Sequence, residues 1–449
     1  MWARKHAMTS EDFHHRLSPA DVRRAILAST IGNGLEWFDF LIYGFFAAII
    51  SGVFFPAQSP VLSLLLTYAT FGVGFLVRPL GGILLGIYAD RFGRRRALSL
   101  LILLMAGSTL ALGLTPGYAT IGVAAPIIVV IARLVQGLSV GGEFASATAM
   151  LIEYAPINKK IYYGAFQMCS QSFALMLAAG FVYALSSFLD HTALVNWGWR
   201  LPFLLGALIG PIGFYIRRRV AESPEFVWLE EHRPRQRSPL AALARGHLSA
   251  VVFAIGLVVA GTAGVYLWDT YLPVYVLRTL QLPLSVSMRN VALIGLIGTV
   301  LNPLIGALAD RVGVYRVFLP SVVIMGLLSY PLFAFIIGAP SAGHLLEVQL
   351  IAGLLRMGIS APIPGLMAVT FPTEARSTGM AIAYNISVAV FGGLAPFTVT
   401  GLMAATGSRF VPAYYLAVAS LLTVVLVLAF RPARMPGLVA AETLSVPTR

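Results

Sequence analysis

The stretch Gly86-Ile-Tyr-Ala-Asp90-Arg91-Phe-Gly93-Arg94-Arg95-Arg96 closes a long apolar run, and a second copy, Gly306-Ala-Leu-Ala-Asp310-Arg311-Val-Gly313, closes another. The copies lie 220 residues apart in a chain of 449. A period of about half the length, in an apolar chain, predicts two matched halves. Two more landmarks keep the spacing: Glu153 and Glu374 are 221 apart, and Arg133 and Arg356 are 223 apart.

Hydrophobic residues make up 58% of the chain and charged residues 11%, with a mean hydropathy of +0.84. Soluble domains carry about 25% charged residues, so lipid is the bulk solvent this composition suits. Twelve apolar runs are long enough to cross a hydrocarbon layer, near 23–51, 59–87, 96–115, 124–149, 163–189, 199–218, 248–276, 288–309, 316–338, 345–369, 377–404 and 410–430. The expected fold is all-α: twelve transmembrane helices in two six-helix bundles around a central cavity. The expected boundaries are an N-terminal arm over 1–22, a first bundle over 23–218, a polar connector over 219–247, a second bundle over 248–430 and a tail over 431–449.

The net charge is +13. Its placement argues topology, not nucleic acid, since the basic residues sit in short connections and not on one face with stacking aromatics. Of the 31 Lys and Arg, 24 fall on the side shared by both termini, four in the opposite connections and three within spans. The positive-inside rule therefore predicts both termini in the cytoplasm. Because six is even, the halves enter the membrane the same way, as parallel repeats. The single cysteine, Cys169, excludes a disulfide framework and a Cys-based metal site, and the seven histidines include no His-x-x-x-His pair, so no metal is expected. No cofactor is expected beyond the proton as coupling ion. No set of residues suits an enzyme, and the chain is expected to act as a monomer.

Ionisable side chains inside spans are costly and mark function. Asn33, Glu36, Asp39 and Tyr43 share one side of the first span. Two carboxylates three residues apart repel when both are ionised, which suits a reversible proton site; either Glu36 or Asp39 can fill it. Arg133 and Gln136 lie beside Gly137 and Gly141, a surface that admits a close helix neighbour. Arg133 can bind an anionic substrate or hold one of the carboxylates ionised. Arg78 and Arg356 are the other intramembrane cations, and Tyr43, Gln167, Gln171, Tyr384 and Asn385 offer hydrogen bonds to a polar solute. Asp269, near the outer end of the seventh span, is expected to meet Arg278 or water. Gating is expected from the loops: Gly86, Asp90, Arg91, Gly93 and Arg94 in one half, Asp310 and Arg311 in the other, with Glu143, Glu153 and Glu374. A loop carboxylate set against a neighbouring helix N-terminus is stabilised by its exposed amides.

The duplicated loop resembles the signature of the major facilitator superfamily. More closely, the chain is similar to the metabolite:proton symporters within it, which carry citrate, tricarballylate, α-ketoglutarate, shikimate, or proline and betaine. The stretches that carry the likeness are Gly32–Asp39, Arg78–Gly82, Arg133–Glu143, Trp197–Phe203, Glu222–Phe226 and Phe391–Pro396, with Pro116–Pro126 most similar to the citrate and tricarballylate branch. The resemblance implies a bacterial inner-membrane carrier that imports a small organic acid with protons; zwitterion uptake or efflux by antiport are the alternatives. Two departures stand out. Lys159 and Lys160 follow Glu153 and Pro156 where the family usually has Arg, and the second loop ends in Val314, Tyr315 and Arg316 in place of a basic run.

Overall fold

A computed structural model describes residues 19–92, 94–208, 248–372 and 375–432. All regular structure among these is helical. The expected arm up to residue 18, the connector, the tail from residue 433, Gly93 and Glu374 lie outside the described residues. Nine helices among those described have the length and apolarity to cross a bilayer, ten with one bent pair counted as a crossing. The sixth expected span is described only over 199–208, and the third is the shorter apolar helix Leu100–Leu114 within Arg94–Leu114. Large apolar side chains such as Leu103, Phe188 and Leu327 stand exposed along the outer surface, where lipid is their natural solvent.

Most of the spans that build the interior are broken, and the breaks are written in proline and glycine. The second span runs as Pro60–Leu76 and Arg78–Phe92, with Pro79 at the joint. Its start is capped by Ser59, whose hydroxyl accepts from the Leu62 amide at 3.1 Å, with Pro60 supplying a preset first turn. The fourth span breaks at Gly141 and Gly142, between Ala124–Val140 and Glu143–Glu153; the tenth breaks at Pro362, between Ala342–Ser360 and Ile363–Thr370.

The seventh and eleventh spans widen into π-helical turns, Val265–Tyr271 and Val388–Gly393. A proline follows each. A proline ring crowds the carbonyl four residues earlier and cannot donate to it; for Pro273 that carbonyl belongs to Asp269, and for Pro396 to Gly392. The first span bends by 70° between Glu36–Phe45 and Ala47–Phe54. The offset of 223 residues that maps Arg133 onto Arg356 also maps Phe46, at this bend, onto Asp269. Both halves therefore distort their first helix at the same depth.

Within the first half, the fourth span lies backbone to backbone on the second. A Cβ on Gly137 would strike the Gly74 carbonyl, and one on Gly141 the Arg78 carbonyl. Between halves, the fifth span (Lys160–Phe188) and the eighth (Leu284–Val312) run together along their length. Gly295 faces the Met176 backbone, Gly306 faces Ile161 and Ala165, and between them Asn302 Nδ2 donates to Ser172 Oγ at 2.9 Å. On the opposite flank Gly72 and Phe75 of the second span meet Leu394 and Gly393 of the eleventh.

These close approaches give a clear stability contrast. Gly141→Ala is expected to cost about 1–3 kcal/mol through overpacking, read as a fall in the unfolding midpoint of detergent-purified protein. Gly107→Ala, with open space at its Cβ, is expected to leave the midpoint unchanged or raise it.

Candidate functional site

Six ionisable side chains sit in the middle of the bundle: Glu36, Asp39 and Asp269 against Arg78, Arg133 and Arg356, none more than 5% exposed. Their formal charges sum to zero. Isolated ions in such surroundings cost several kcal/mol each, so pairing decides their positions.

The two carboxylates of the first span go different ways. Glu36 lies 4.0 Å from Arg78 Nη2. The Arg78 guanidinium packs on the adjacent rings of Phe40 and Phe75, 4.5 and 4.2 Å from their centroids. Tyr266 and Tyr384, both from the second half, are within electrostatic range of Glu36 and Arg78. This pair thus stands where the halves meet.

Asp39 turns into the first half instead. Thr109 donates to Asp39 Oδ2 at 2.8 Å, Gln136 Nε2 donates to Thr109 Oγ1 at 2.8 Å, and Arg133 Nη1 donates to Gln136 Oε1 at 2.9 Å. Every hydrogen bond in this relay points from the cation to the carboxylate, so each polarises the next. Arg133 also lies over the Tyr43 ring, 3.7 Å from its centroid. The bare side of Gly206 leaves the room that the Asp39 carboxylate occupies.

In the second half Arg356 Nε approaches Asp269 Oδ2 to 3.2 Å. The angle is not that of a hydrogen bond, and Arg356 Nη2 has no hydrogen-bond partner among the described residues. Asp269 does not meet Arg278, as the sequence suggested. Arg278 reaches away across the halves, Nη2 donating to the Ala48 carbonyl at 3.4 Å.

A cavity between the halves is lined by Trp37 and Leu41 of the first span, Gln171 and Ser172 of the fifth, and Asp269 and Arg356. Its volume of about 20 Å³ holds little more than one water. Both ends are shut. At the end bearing the duplicated motif, Asp310 accepts from the Ile161 and Tyr162 amides at 3.1 and 2.8 Å, capping the fifth span from the other half. Gly313 behind it takes φ 100°, a conformation that only glycine adopts without strain. At the far end Tyr68 and Tyr271 pack 5.9 Å apart.

Of the residues singled out from sequence, Gln171 and Arg356 line the cavity. Arg133, Gln136 and Tyr43 stand together behind its wall. Gln167 is spent on Asn33, to which its amide donates at 2.9 Å. Asn385 donates to the Gly141 carbonyl at 2.7 Å, a group set free by the break in the fourth span, and Tyr384 stacks on Phe144. Gly86, Asp90 and Arg91 lie in the last turns of the second span, and Arg94 opens the third. Glu143 and Glu153 begin and end one helix, and Arg311 ends the eighth span. Sequence reasoning does not single out Trp37, Leu41 and Ser172 on the cavity or Thr109 in the relay, and it names Asp269 without its partner Arg356. Only Asp269, a charge within an apolar run, carries a signal.

Paired charges, broken helices and a small cavity between two matched helical halves define a polytopic membrane carrier. The chain belongs to the Major Facilitator Superfamily, whose family profile matches residues 37–396. It is 37% identical over 398 residues to the citrate-proton symporter of Klebsiella pneumoniae, covering 88% of this chain and 89% of that one. It is 34% identical over 413 residues to the proline/betaine transporter of Escherichia coli strain K12, covering 88% and 81%. The solved structure of the E. coli xylose transporter XylE, partially occluded and inward open, superposes with a TM-score of 0.74 over 92% of this chain and 98% of that one, at 18% identity. That likeness concerns the fold.

Thr109→Val removes the middle of the relay and strands Asp39 Oδ2 and the Gln136 amide. The expected loss is about 1–3 kcal/mol of stability, measured as a lower unfolding midpoint, with Thr109→Ser close to wild type.

Proposed function

We propose that the protein imports a small organic acid, a di- or tricarboxylate, together with protons across the bacterial inner membrane, with both termini cytoplasmic and one chain as the working unit. The observation that carries this reading is the charge-neutral set of buried carboxylate–guanidinium pairs, one of which lines the cavity between the halves. An anion entering such a site needs a cation for company, and the proton is the cation a buried carboxylate can take up. The relatedness to citrate-proton symporters supports the same direction.

Transport then proceeds by alternating access. The Asp310 contact with the fifth span holds the motif-bearing end shut and parts when the halves rock open. Glu143, Glu153, Glu374 and the first loop, with Asp90 and Arg91, serve the same end. Glu36, at the meeting of the halves, is better placed than Asp39 to exchange a proton with the cavity. Arg133 and its relay set the charge balance behind the wall, Arg78 and Arg356 offer guanidinium groups to substrate, and Gln171 offers hydrogen bonds.

A second reading, uptake of a zwitterion, is favoured by one observation. The cavity is lined by an Arg, an Asp and Trp37 together, a set that also suits a carboxylate and a quaternary ammonium on one molecule.

In proteoliposomes with an acidic exterior, radiolabelled citrate is expected to accumulate, and a protonophore is expected to abolish the accumulation. Uptake indifferent to the pH gradient contradicts symport. Asp310→Asn is expected to open the motif end. In a Cys169→Ser background, a cysteine placed at Ala165, fully buried beside Gly306, then labels faster with a membrane-impermeant thiol reagent. An unchanged labelling rate contradicts the latch.

A further inference from the structure

We propose that Asp269 is a coupling carboxylate of the second half: a substrate carboxylate takes its place on Arg356, and Asp269 leaves that ion pair as a protonated acid. The proposal deepens the organic-acid reading above and rests on it.

Four observations carry it. First, the pair lines the cavity between the halves, with Gln171 and Ser172 of the facing half opposite. Second, Arg356 is held but not saturated. Its Nε meets Asp269 at 3.2 Å outside hydrogen-bond geometry, and its buried Nη2 has no hydrogen-bond partner among the described residues. A buried guanidinium with unused donors is complementary to a planar carboxylate that engages two N–H groups at once. Third, Asp269 sits in a π-helical turn, above the proline that loosens its carbonyl. π-Turns inside α-helices concentrate at functional positions, and this one lets Asp269 shift without breaking the span. Fourth, Asp269 has no alternative cation among the described residues. On its own span, Arg278 is engaged with the Ala48 carbonyl, while Tyr266 and Tyr271 are neutral phenols. From the first span, Glu36 faces Arg78 and Asp39 ends the Arg133 relay. The ninth span presents Phe333 against Trp268, and the eleventh presents Gly392 against Tyr266.

The exchange balances. A substrate carboxylate, the Arg356⁺–Asp269⁻ pair and one proton give a carboxylate–Arg356⁺ pair and neutral Asp269. No covalent bond forms apart from the O–H on Asp269, and the proton comes from the aqueous side to which the cavity opens when substrate enters. Without it, two carboxylates would share one guanidinium in surroundings largely withdrawn from water, and like charges so placed force one to be neutral. Each carboxylate seated on Arg356 thus carries one proton. In the opposite half Glu36 lies 4.0 Å from Arg78, a second buried carboxylate–guanidinium pair outside the cavity lining.

The test uses Asp269→Asn, an uncharged stand-in for the protonated acid, and measures citrate affinity of the purified full-length protein across pH by calorimetry. Wild-type affinity is expected to fall by about tenfold per pH unit for each coupled proton once the coupling carboxylate ionises. Asp269→Asn is expected to lose one such proton, giving a shallower slope, fewer protons taken up per citrate and tighter binding than wild type at alkaline pH. A structural role does not produce that gain. Asp269→Glu is expected to keep the wild-type slope. An Asp269→Asn slope equal to wild type, or citrate binding lost at every pH, overturns the proposal. Failure of the wild type itself to bind citrate at any pH overturns the organic-acid reading and this proposal with it; binding of glycine betaine in its place identifies the zwitterion as cargo.

Discussion

A charge withdrawn from water into a helical bundle must find its opposite at contact distance, and this constraint organises the interior of the protein. Three carboxylates and three guanidiniums meet it in three ways. Glu36 and Arg78 approach across neighbouring spans of one half, with the adjacent rings of Phe40 and Phe75 packed on the guanidinium. Asp39 and Arg133 are joined through Thr109 and Gln136. Asp269 and Arg356 touch directly in the other half. A net charge of zero holds while the cavity is empty, and an arriving anion upsets it. Coupling to protons then follows from electrostatics more than from any special reactivity of one residue.

The broken helices place these groups. A continuous α-helix satisfies its own backbone and offers little to a substrate or to a neighbouring half. Where Pro273 loosens the Asp269 carbonyl, and where Gly141 and Gly142 interrupt the fourth span, backbone groups are released and side chains are re-aimed. Asn385 donating to the Gly141 carbonyl ties such a break to the opposite half. The duplicated loop acts at longer range. Its second copy places Asp310 on two amides of the fifth span and needs Gly313 at a positive φ, which accounts for the Asp and the closing Gly of the motif.

Much of this is legible in the amino-acid sequence. The 220-residue offset and the apolar runs expose the two halves, because lipid demands long uninterrupted spans and duplication leaves landmarks in register. Arg78, Arg133, Arg356, Glu36 and Asp39 stand out because charge is rare among apolar residues. Their partners do not stand out, since pairing depends on how each helix is rotated against its neighbours. Asn33, Glu36 and Asp39 share one side of the first span, yet Asn33 bonds to Gln167, Glu36 faces Arg78 and Asp39 faces Thr109. Thr109 gives no signal because a helix hydroxyl ordinarily bonds back to its own backbone, as Thr67, Thr70 and Ser108 do here. Asp269 looks peripheral when its depth is judged from a straight helix, whereas the π-helical turn brings it to Arg356.

The measurement closest to the central claim is a structure of the protein with citrate bound between the halves. The account predicts substrate carboxylates on the guanidiniums of Arg78 and Arg356, with Asp269 moved beyond hydrogen-bonding distance of Arg356. Citrate seated elsewhere, with the Asp269–Arg356 pair still closed, contradicts it.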